Sequence, residues 1–333
     1  MKRILCGLAS LVAAAFAVSP ALAIDEVTFG TNWLAQAEHG GYYQAVADGT
    51  YEKYGLKVTI KQGGPQAANR SLLLAGKIDF YMGGMLQAID AVKQNIPTVT
   101  VAAMFQKDPQ GLLAHPDQGF DKFTDLTKAS TIFMGKEGYI TYFQWMKAAF
   151  PGFSDSQFKP YTFNPGPFLA DPKSAQQGYL TSEPYEIERQ AGWKPKFFLL
   201  ADAGYDPYST TVETMQKVVD EKPDMVQRFV DATIIGWYNY LYGDNKAANA
   251  LIMKDNPEMT EGQLAYSLAG MKANGIVISG EAVTKGIGCM TDEKQKAFFD
   301  VLVKAGVMAD TVDYKKAYTT KFVCKGLGVE LAK

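Results

Sequence analysis

The chain has 333 residues, of which 20% are charged, and its 33 Lys and Arg nearly balance 35 Asp and Glu for a net charge of −2 at pH 7. This slight acidity provides no excess of positive charge for nucleic acid or for an anionic membrane surface, so neither partner is expected. The length exceeds one typical core of about 100 to 200 residues, which predicts two lobes with a cleft between them.

Residues 1–23 have the pattern of a secretory signal peptide. Lys2 and Arg3 precede an apolar stretch at residues 4–18, which is shorter than the roughly 20 residues of a membrane-spanning helix. Small residues follow this stretch and predict cleavage after Ala23. We therefore expect the mature protein to be free in the periplasm.

Two cysteines, Cys289 and Cys324, lie outside this segment. In an oxidising compartment the pair predicts a disulfide that ties down the C-terminal segment, with free buried thiols as the alternative. Two cysteines and two histidines in unrelated segments lack the spacing of a structural metal site. No metal is predicted.

Residues 26–105 alternate short β-rich runs with helical ones. The expected elements are strands at 27–29, 56–60, 78–82 and 98–103, with helices at 42–48, at 66–75 and from residue 86 onward. Such alternation predicts a parallel sheet with helices on both faces.

A second, smaller α/β series follows. Its expected elements are strands at 111–114, 131–134, 161–163, 178–181 and 197–201, with helices at 139–150 and from residue 185 onward. From residue 212 the chain is expected to be nearly all helical, and Pro223 is placed to begin the longest helix, where its missing N–H costs nothing.

The apolar stripe of that longest helix is expected to pack back onto the first lobe. The chain would then cross between lobes near residues 105–110 and again near 201–205, and two crossings make a hinge. The predicted lobes are therefore residues 24–105 together with 204–333, and residues 106–203.

The sequence carries few signs of catalysis. Its two histidines are His39 and His115, so a histidine base must be one of them. Neither a Gly-x-Ser-x-Gly elbow nor a phosphate-binding loop with Gly-Lys-Ser/Thr is present. Carboxylate pairs such as Glu183 and Glu186 are typical of solvated surfaces or ligand contacts as well as of acid–base sites. We predict a binding protein that has no cofactor and is not an enzyme.

The segment TNWLAQAEHGGYYQA at residues 31–45 resembles the opening of the NMT1/THI5-like (SsuA/THI5-like) periplasmic binding proteins. Further matches are AGKIDF at 75–80, the turn Glu183-Pro184-Tyr185 and the helix around Pro223. The resemblance implies a type II periplasmic-binding-protein fold with the ligand between two α/β lobes. It also implies an ABC importer as partner, with a permease in the inner membrane and an ATPase.

The family includes receptors for thiamine pyrimidine precursors, riboflavin, aliphatic sulfonates, taurine and nitrate. It also includes the fungal thiamine pyrimidine synthase, which uses a cysteine-rich iron-binding motif and consumes one of its own histidines. This sequence has no adjacent cysteines, and residues 78–92, which match the segment of the consumed histidine, contain no histidine. An enzyme of this kind and a solute sensor are the alternatives to an importer component.

Five candidate ligand-binding residues belong to the first lobe. Trp33 follows the first strand, at the edge where open α/β sheets bind ligands, and could stack on a planar ring, with a core tryptophan as the alternative. His39 precedes a helix and could donate to an anionic or carbonyl group, or act structurally. Tyr42 adds a second ring, and Asn69 and Gly84 follow later strands and could approach the cleft.

Five further candidates belong to the second lobe and the returning crossing. Tyr139 and Asn164 follow predicted strands there. Glu183 is similar in position to the acid that pyrimidine receptors use, and it could accept hydrogen bonds from an amino-substituted ring. Tyr185 lies beside it, and Tyr208 flanks the cleft after the second crossing.

The ligand is expected to be a flat heteroaromatic molecule similar to a thiamine pyrimidine precursor. Aromatic residues make up 12% of the chain and are frequent in the predicted cleft loops, whereas a sulfonate, taurine or nitrate receptor would rely on hydroxyl and backbone donors with matching positive charge. That anion class remains an alternative. We expect a monomer whose lobes close on the ligand.

Overall fold

The computed structural model describes residues 24–64 and 66–332, so the predicted signal peptide lies outside the described residues. The strands of this part of the chain are β1 Asp25–Gly30, β2 Leu56–Lys61, β3 Phe80–Gly83, β4 Thr98–Phe105, β5 Gln110–Ala114, β6 Ile132–Met134, β7 Phe158–Pro160, β8 Ala175–Tyr179, β9 Lys196–Leu199 and β10 Ser209–Met215. Its α-helices are α1 Gly40–Ala47, α2 Thr50–Lys53, α3 Asn69–Leu74, α4 Met85–Lys93, α5 Lys136–Ile140, α6 Tyr142–Ala149, α7 Gly166–Ala170, α8 Glu183–Ala191, α9 Gln216–Glu221, α10 Pro223–Tyr242, α11 Lys246–Asp255, α12 Glu261–Ala273, α13 Ala282–Lys285 and α14 Asp292–Lys304.

The first sheet contains β1 to β4 and β10 in the order β2-β1-β3-β10-β4. β1 pairs in parallel with β2 and β3, whereas β10 is antiparallel to both of its neighbours. In β1 the side chains of Val27 and Phe29 are buried and that of Thr28 between them is less so, which is the alternation of a strand with one face on the core.

The strand β10 corrects the prediction that the chain is nearly all helical from residue 212. Its sequence STTVETM is rich in β-branched residues, which lose side-chain freedom in a helix and pack well in a sheet. β10 lies between β3 and β4, so the sheet is mixed rather than parallel. The longest helix is confirmed, since α10 begins at Pro223 and has 20 residues. Neither it nor any other described helix is both long and apolar enough to cross a membrane.

The second sheet has the order β7-β6-β8-β5-β9. Each sheet contains one strand that does not belong to its local βαβ series. In the first sheet β10 lies beside β3, and in the second sheet β5 lies beside β8. The chain leaves the first sheet at Phe105 and enters the second at Gln110, and it returns between Leu199 and Ser209. The two predicted crossings are thus confirmed, while the lobe boundaries remain a prediction.

Two local predictions in the second lobe are wrong. The strand expected at 161–163 is replaced by β7, and Phe163 has a φ of 68°, in the left-handed region that extended backbone does not enter. The helix expected at 139–150 is divided into α5 and α6 at Thr141, whose hydroxyl donates to the carbonyl oxygen of Glu137 at 2.6 Å. A side chain that bonds to the preceding turn in this way competes with the regular helical pattern.

The helix α10 packs closely against α1 in the core of the first lobe. A Cβ atom at Gly41 would lie 2.2 Å from the ring of Trp237, and one at Gly236 would lie 2.3 Å from the carbonyl oxygen of Gly41. Only glycine permits such an approach, because any side chain would overlap its neighbour. The packing fixes the start of α1, and with it the preceding residues Glu38 and His39.

The two cysteines outside the predicted signal peptide are bonded to each other. Cys289 precedes α14 and Cys324 lies in the C-terminal segment, and their sulfur atoms are 2.09 Å apart. The disulfide therefore ties the end of the chain to the body of the first lobe.

Candidate functional site

A cavity lies between the two lobes and is lined by both of them. The ends of β1 and β3 and the start of α4 line it from the first lobe, and the ends of β6 and β8 and the start of α5 line it from the second. Both crossings contribute as well. The cavity contains about 930 Å³ of space that no protein atom fills, counting the part open to solvent. Open α/β sheets bind ligands at such strand ends, so this is the candidate site.

Trp33 reaches across the cavity from the first lobe to the second. Its ring stacks on Tyr161, with 6.3 Å between ring centroids, and meets Phe163 edge-on at 6.4 Å. On the same side, a Cβ atom at Gly135 would lie 3.3 Å from the indole. Trp33 therefore contacts both lobes and also presents an aromatic surface to the cavity.

Four tyrosines add to the aromatic lining. Tyr142, Tyr179 and Tyr205 line the cavity from the second lobe and the returning crossing, and Tyr208 lines it near the start of β10. The hydroxyl oxygen of Tyr208 accepts a hydrogen bond from the backbone N–H of Thr291 at 3.1 Å. This bond uses a lone pair and leaves the O–H able to donate, so Tyr208 offers both a ring and a donor.

His39 is fully buried at the cavity wall. Neither ring nitrogen has a hydrogen-bond partner within residues 24–64 and 66–332. Burial lowers the pKa of His39 to about 3, so the imidazole is neutral at physiological pH. A neutral imidazole has one donor and one acceptor, and unpaired buried polar atoms are costly, so a ligand could satisfy both.

Glu38, directly before His39, makes a contact between the lobes. The hydroxyl of Thr181, which follows β8, donates a hydrogen bond to the Glu38 carboxylate. The second carboxylate oxygen has no partner in the described part of the chain. Burial raises the pKa of Glu38 to about 7, because removing water penalises the charged form.

Three carboxyl groups line the cavity. They belong to Asp108 in the first crossing, Glu137 in α5 and Glu183 at the start of α8. Glu183 accepts hydrogen bonds from the backbone N–H of Tyr179 at 2.7 Å and from the hydroxyl of Tyr161 at 3.5 Å. Burial raises the pKa of each of the three carboxyl groups to about 7. In residues 24–64 and 66–332, no group of three or more His, Cys, Asp or Glu could hold a metal ion.

No lysine or arginine is among the described residues that line the cavity. The nearby cations are already paired: Arg70 binds Glu213 at 2.8 Å, and Lys294 binds Asp206 at 2.8 Å. The cavity wall is therefore acidic and aromatic.

The structure brings five of the ten predicted residues to the cavity. Trp33, His39, Gly84, Glu183 and Tyr208 all line it. Gly84 precedes α4, and a Cβ atom there would meet nothing within 4 Å, so the space before the free N–H groups of that helix is open.

Two predicted residues of the first lobe are turned away from this cavity, which corrects their placement. Tyr42 is buried in the core with its ring stacked on Phe29 at 4.2 Å, because it lies on the sheet-facing side of α1. Asn69 is buried too, and its amide donates to the carbonyl oxygens of Thr31 at 2.9 Å and Lys61 at 3.0 Å. It ties β1 and β2 to the start of α3.

Three predicted residues of the second lobe also lie outside this cavity. The hydroxyl of Tyr139 donates to Asp155 at the surface at 3.0 Å. Asn164 follows no strand, and its side-chain oxygen accepts from the backbone N–H of Gly166 at 2.9 Å, before α7. Tyr185 packs its ring against α12. These corrections follow from the different bounds of β7 and α5 and from the local turns.

Asp108 and Glu137 are the main lining residues that the sequence prediction missed. Asp108 lies in the predicted first crossing and its carboxylate accepts from the backbone N–H of Gln110 at 3.2 Å. Glu137 follows β6 by three residues, so the strand-end argument that selected Gly84 would also have found it.

The strand orders, the two crossings and the cavity between lobes define a periplasmic-binding-protein fold of type II. The alkanesulfonate-binding protein SsuA from Xanthomonas axonopodis pv. citri, whose structure contains MOPS, superposes with a TM-score of 0.62 at 14% identity, covering 90% of this chain and 99% of that chain. The profile of the NMT1/THI5-like family matches residues 36–248, more than half of the chain. The chain belongs to the NMT1/THI5-like family.

Curated relatives fall into two classes. The riboflavin-binding protein RibY of Chloroflexus aurantiacus is 20% identical over 309 residues, covering 91% of this chain and 87% of RibY. A 4-amino-5-hydroxymethyl-2-methylpyrimidine phosphate synthase of Aspergillus parasiticus is 25% identical over 120 residues, covering 36% of this chain and 35% of the synthase. The similarity thus spans about a third of the synthase and nearly all of the binding protein.

Proposed function

We propose that this protein is the solute-binding component of an ABC importer and that its ligand is a small planar heteroaromatic molecule, such as a pyrimidine similar to a thiamine precursor. The observation that carries this proposal is the cavity between the lobes, lined by Trp33 and four tyrosines without a lysine or arginine among its described residues. Aromatic stacking supplies affinity in such a site and the polar groups set orientation.

Lobe closure is the proposed capture mechanism. A ligand that touches Trp33 in the first lobe and Glu183 in the second binds the closed form better than the open one and shifts the equilibrium toward it. The contact between Trp33 and Tyr161 already joins the lobes, so a bound ring would extend an existing aromatic stack.

An inorganic or sulfonate anion suits this cavity less well. Anion sites combine N–H or hydroxyl donors with positive charge. The N–H groups at the start of α4 supply donors here, but the surrounding side-chain charge is that of Asp108, Glu137 and Glu183. This distinguishes the proposed ligand from that named for the alkanesulfonate-binding protein.

The location and partners belong to the same proposal. Export by the N-terminal segment, with cleavage after Ala23, would release the protein into the periplasm. There it would act as a monomer, and the closed form would be recognised by an inner-membrane permease coupled to an ATPase.

A thermal-shift screen of residues 24–333 against pyrimidines, flavins, purines, sulfonates and nitrate tests the proposal. A ligand that binds only the folded protein raises the melting temperature, by an amount that grows with its concentration over Kd. We expect a rise with a heteroaromatic compound. A rise with a sulfonate or nitrate alone would contradict the ligand class, and product formation with pyridoxal phosphate and iron would favour the synthase alternative.

A further inference from the structure

The walls of the cavity carry carboxyl groups with which no cation of the described chain forms a salt bridge. Asp108, Glu137 and Glu183 line the cavity, and none of them forms a salt bridge. The positive charges that face them come from Lys294 near Asp108 and from Arg70 near Glu137. Both cations also face further carboxylates.

Arg70 and Lys294 are hydrogen-bonded to carboxylates other than those that line the cavity. Arg70 is held by Glu213 through two hydrogen bonds, of 2.8 and 3.1 Å, and Lys294 is held by Asp206 at 2.8 Å. Tyr161 and Tyr179 face Glu183, and Glu38 lies nearby. The N-terminus of α4 contributes roughly half a positive charge, which is small against three carboxyl groups.

Unpaired acceptors point to the same kind of ligand. The side-chain carbonyl oxygens of Asn32 and Gln87 line the cavity, are buried, and have no hydrogen-bond partner in the part of the chain that the structure describes. An amide oxygen can only accept. Donors on a ligand would therefore satisfy atoms that are otherwise costly to bury.

We propose that the site selects a ligand with a positively charged nitrogen, which Asp108 and Glu137 hold through charge-assisted hydrogen bonds while the ring stacks on Trp33. This inference rests on the function proposed above and narrows its ligand class. It assigns the specificity to Asp108 in the first crossing and to Glu137 in α5.

Binding of such a cation would release protons. Burial raises the pKa of Asp108 and of Glu137 to about 7, so both carboxyl groups are partly protonated at neutral pH without a ligand. A cation beside them favours their ionised forms and lowers the pKa values again. A neutral ligand would lack this effect.

The test compares three probes that share one ring and carry substituents of different charge. They share a 4-amino-2-methylpyrimidine ring, and ring position 5 carries an aminomethyl, a hydroxymethyl or a carboxylate group. Titration calorimetry at pH 7 should show the aminomethyl cation binding at least about tenfold more tightly than the neutral probe, since hydrogen bonds to charged groups are the stronger kind. The carboxylate should bind most weakly.

Two variants and a control localise the effect. Asp108→Asn and Glu137→Gln keep the shape of each side chain and should each reduce the preference for the cation by about tenfold. Each variant should weaken binding of the cation more than binding of the neutral probe. The control Glu188→Gln removes a half-exposed carboxylate on α8 and should retain the preference of the unmodified protein.

A measurement on the unmodified protein guards against variants that do not fold. Calorimetry in two buffers with different ionisation enthalpies counts the protons released, and we expect release with the cation and little with the neutral probe. Equal affinities for these two probes, or tight binding of a flavin and none of the three pyrimidines, would overturn the charge inference and leave the proposed function standing. Binding of a sulfonate or nitrate alone would overturn both.

Discussion

The two walls of the cavity contribute different chemistry. The first lobe presents an indole, a neutral imidazole and the start of a helix, through Trp33, His39 and Gly84. The second lobe presents acids and phenols, including Glu137, Glu183 and further tyrosines. One wall thus offers a ring surface and neutral donors, and the other offers carboxyl and phenol groups.

In the proposed capture mechanism, lobe closure brings these two kinds of surface onto one ligand. The residues of either wall alone leave polar atoms buried without partners or acids without a counter-charge. A ligand with an aromatic ring and a donor group satisfies both walls only when they meet. Contacts between the lobes include the hydrogen bond from Thr181 to Glu38 and the stacking of Trp33 on Tyr161, and the predictions below separate the roles of these two contacts.

The largest expected effect is on stability, at the contact between Glu38 and Thr181. The unfolded chain releases the Glu38 proton near the usual pKa of 4.5, whereas burial holds the pKa at about 7 in the folded protein. The unfolded state therefore binds fewer protons between these values, and stability falls as the pH rises from about 4.5 to 7. This group's share is about 3 kcal/mol, at about 1.4 kcal/mol per pKa unit.

Denaturant unfolding at pH 5 and pH 8 measures this share. The unfolding free energy of Glu38→Gln should fall less between the two pH values than that of the unmodified protein, by about 3 kcal/mol. Glu188→Gln serves as the control, since its carboxylate is half-exposed. Identical pH dependence of the unfolding free energy in Glu38→Gln and the unmodified protein would mean that the pKa of Glu38 is not raised by burial between the lobes.

Removal of the Trp33 ring should have the largest effect on binding. Trp33→Ala loses the stacking surface and the contacts with Tyr161 and Phe163 together, so we expect the Kd for the best ligand of the screen to rise about 100-fold, typical of an aromatic hot spot. Titration calorimetry gives the Kd. Trp33→Phe keeps an aromatic surface and should lose less, whereas equal losses in both variants would argue against stacking.

A smaller effect is expected at Gly135, where the second lobe meets Trp33. Its φ of −69° suits any residue, so Gly135→Ala should fold normally. The added Cβ would lie 3.3 Å from the indole and oppose closure, at a cost of about 1 kcal/mol or about fivefold in Kd.

A variant at Trp33 provides a control for the Gly135→Ala change. The indole atoms nearest to Gly135 belong to the six-membered ring of Trp33. The shorter side chain of phenylalanine does not extend as far. In a Trp33→Phe background the Gly135→Ala change should therefore cost less, and a double-mutant cycle measures this coupling. Strict additivity would show that the two residues do not meet in the ligand-bound state.

The sequence predicted much of the fold because local periodicity is informative. The βαβ series, the two crossings and the start of α10 at Pro223 each follow from residue patterns within short windows. β10 was missed although its β-branched residues favour a strand, and its place in the first sheet depends on β3 and β4, which lie more than a hundred residues earlier.

The candidate site was predicted only in part, as two aromatic residues illustrate. Trp33 and Tyr42 both lie in the segment after β1, yet Trp33 lines the cavity and Tyr42 stacks on Phe29 in the core. The direction of Tyr42 depends on the rotation of α1, and the contact of Gly41 with Trp237 sets that rotation. No local sequence pattern indicates this rotation of α1.

By itself, the sequence determined the two α/β lobes and the strand ends at which a ligand is expected to bind, and it left open whether Cys289 and Cys324 are joined. These depend on residue periodicity, turn residues and composition, which act over a few positions. Only the tertiary structure decided that Asp108, Glu137 and Glu183 share one cavity without a cation among its described lining residues. Charge balance in a cavity depends on which distant segments meet and on how far water is excluded, and both are properties of the folded chain.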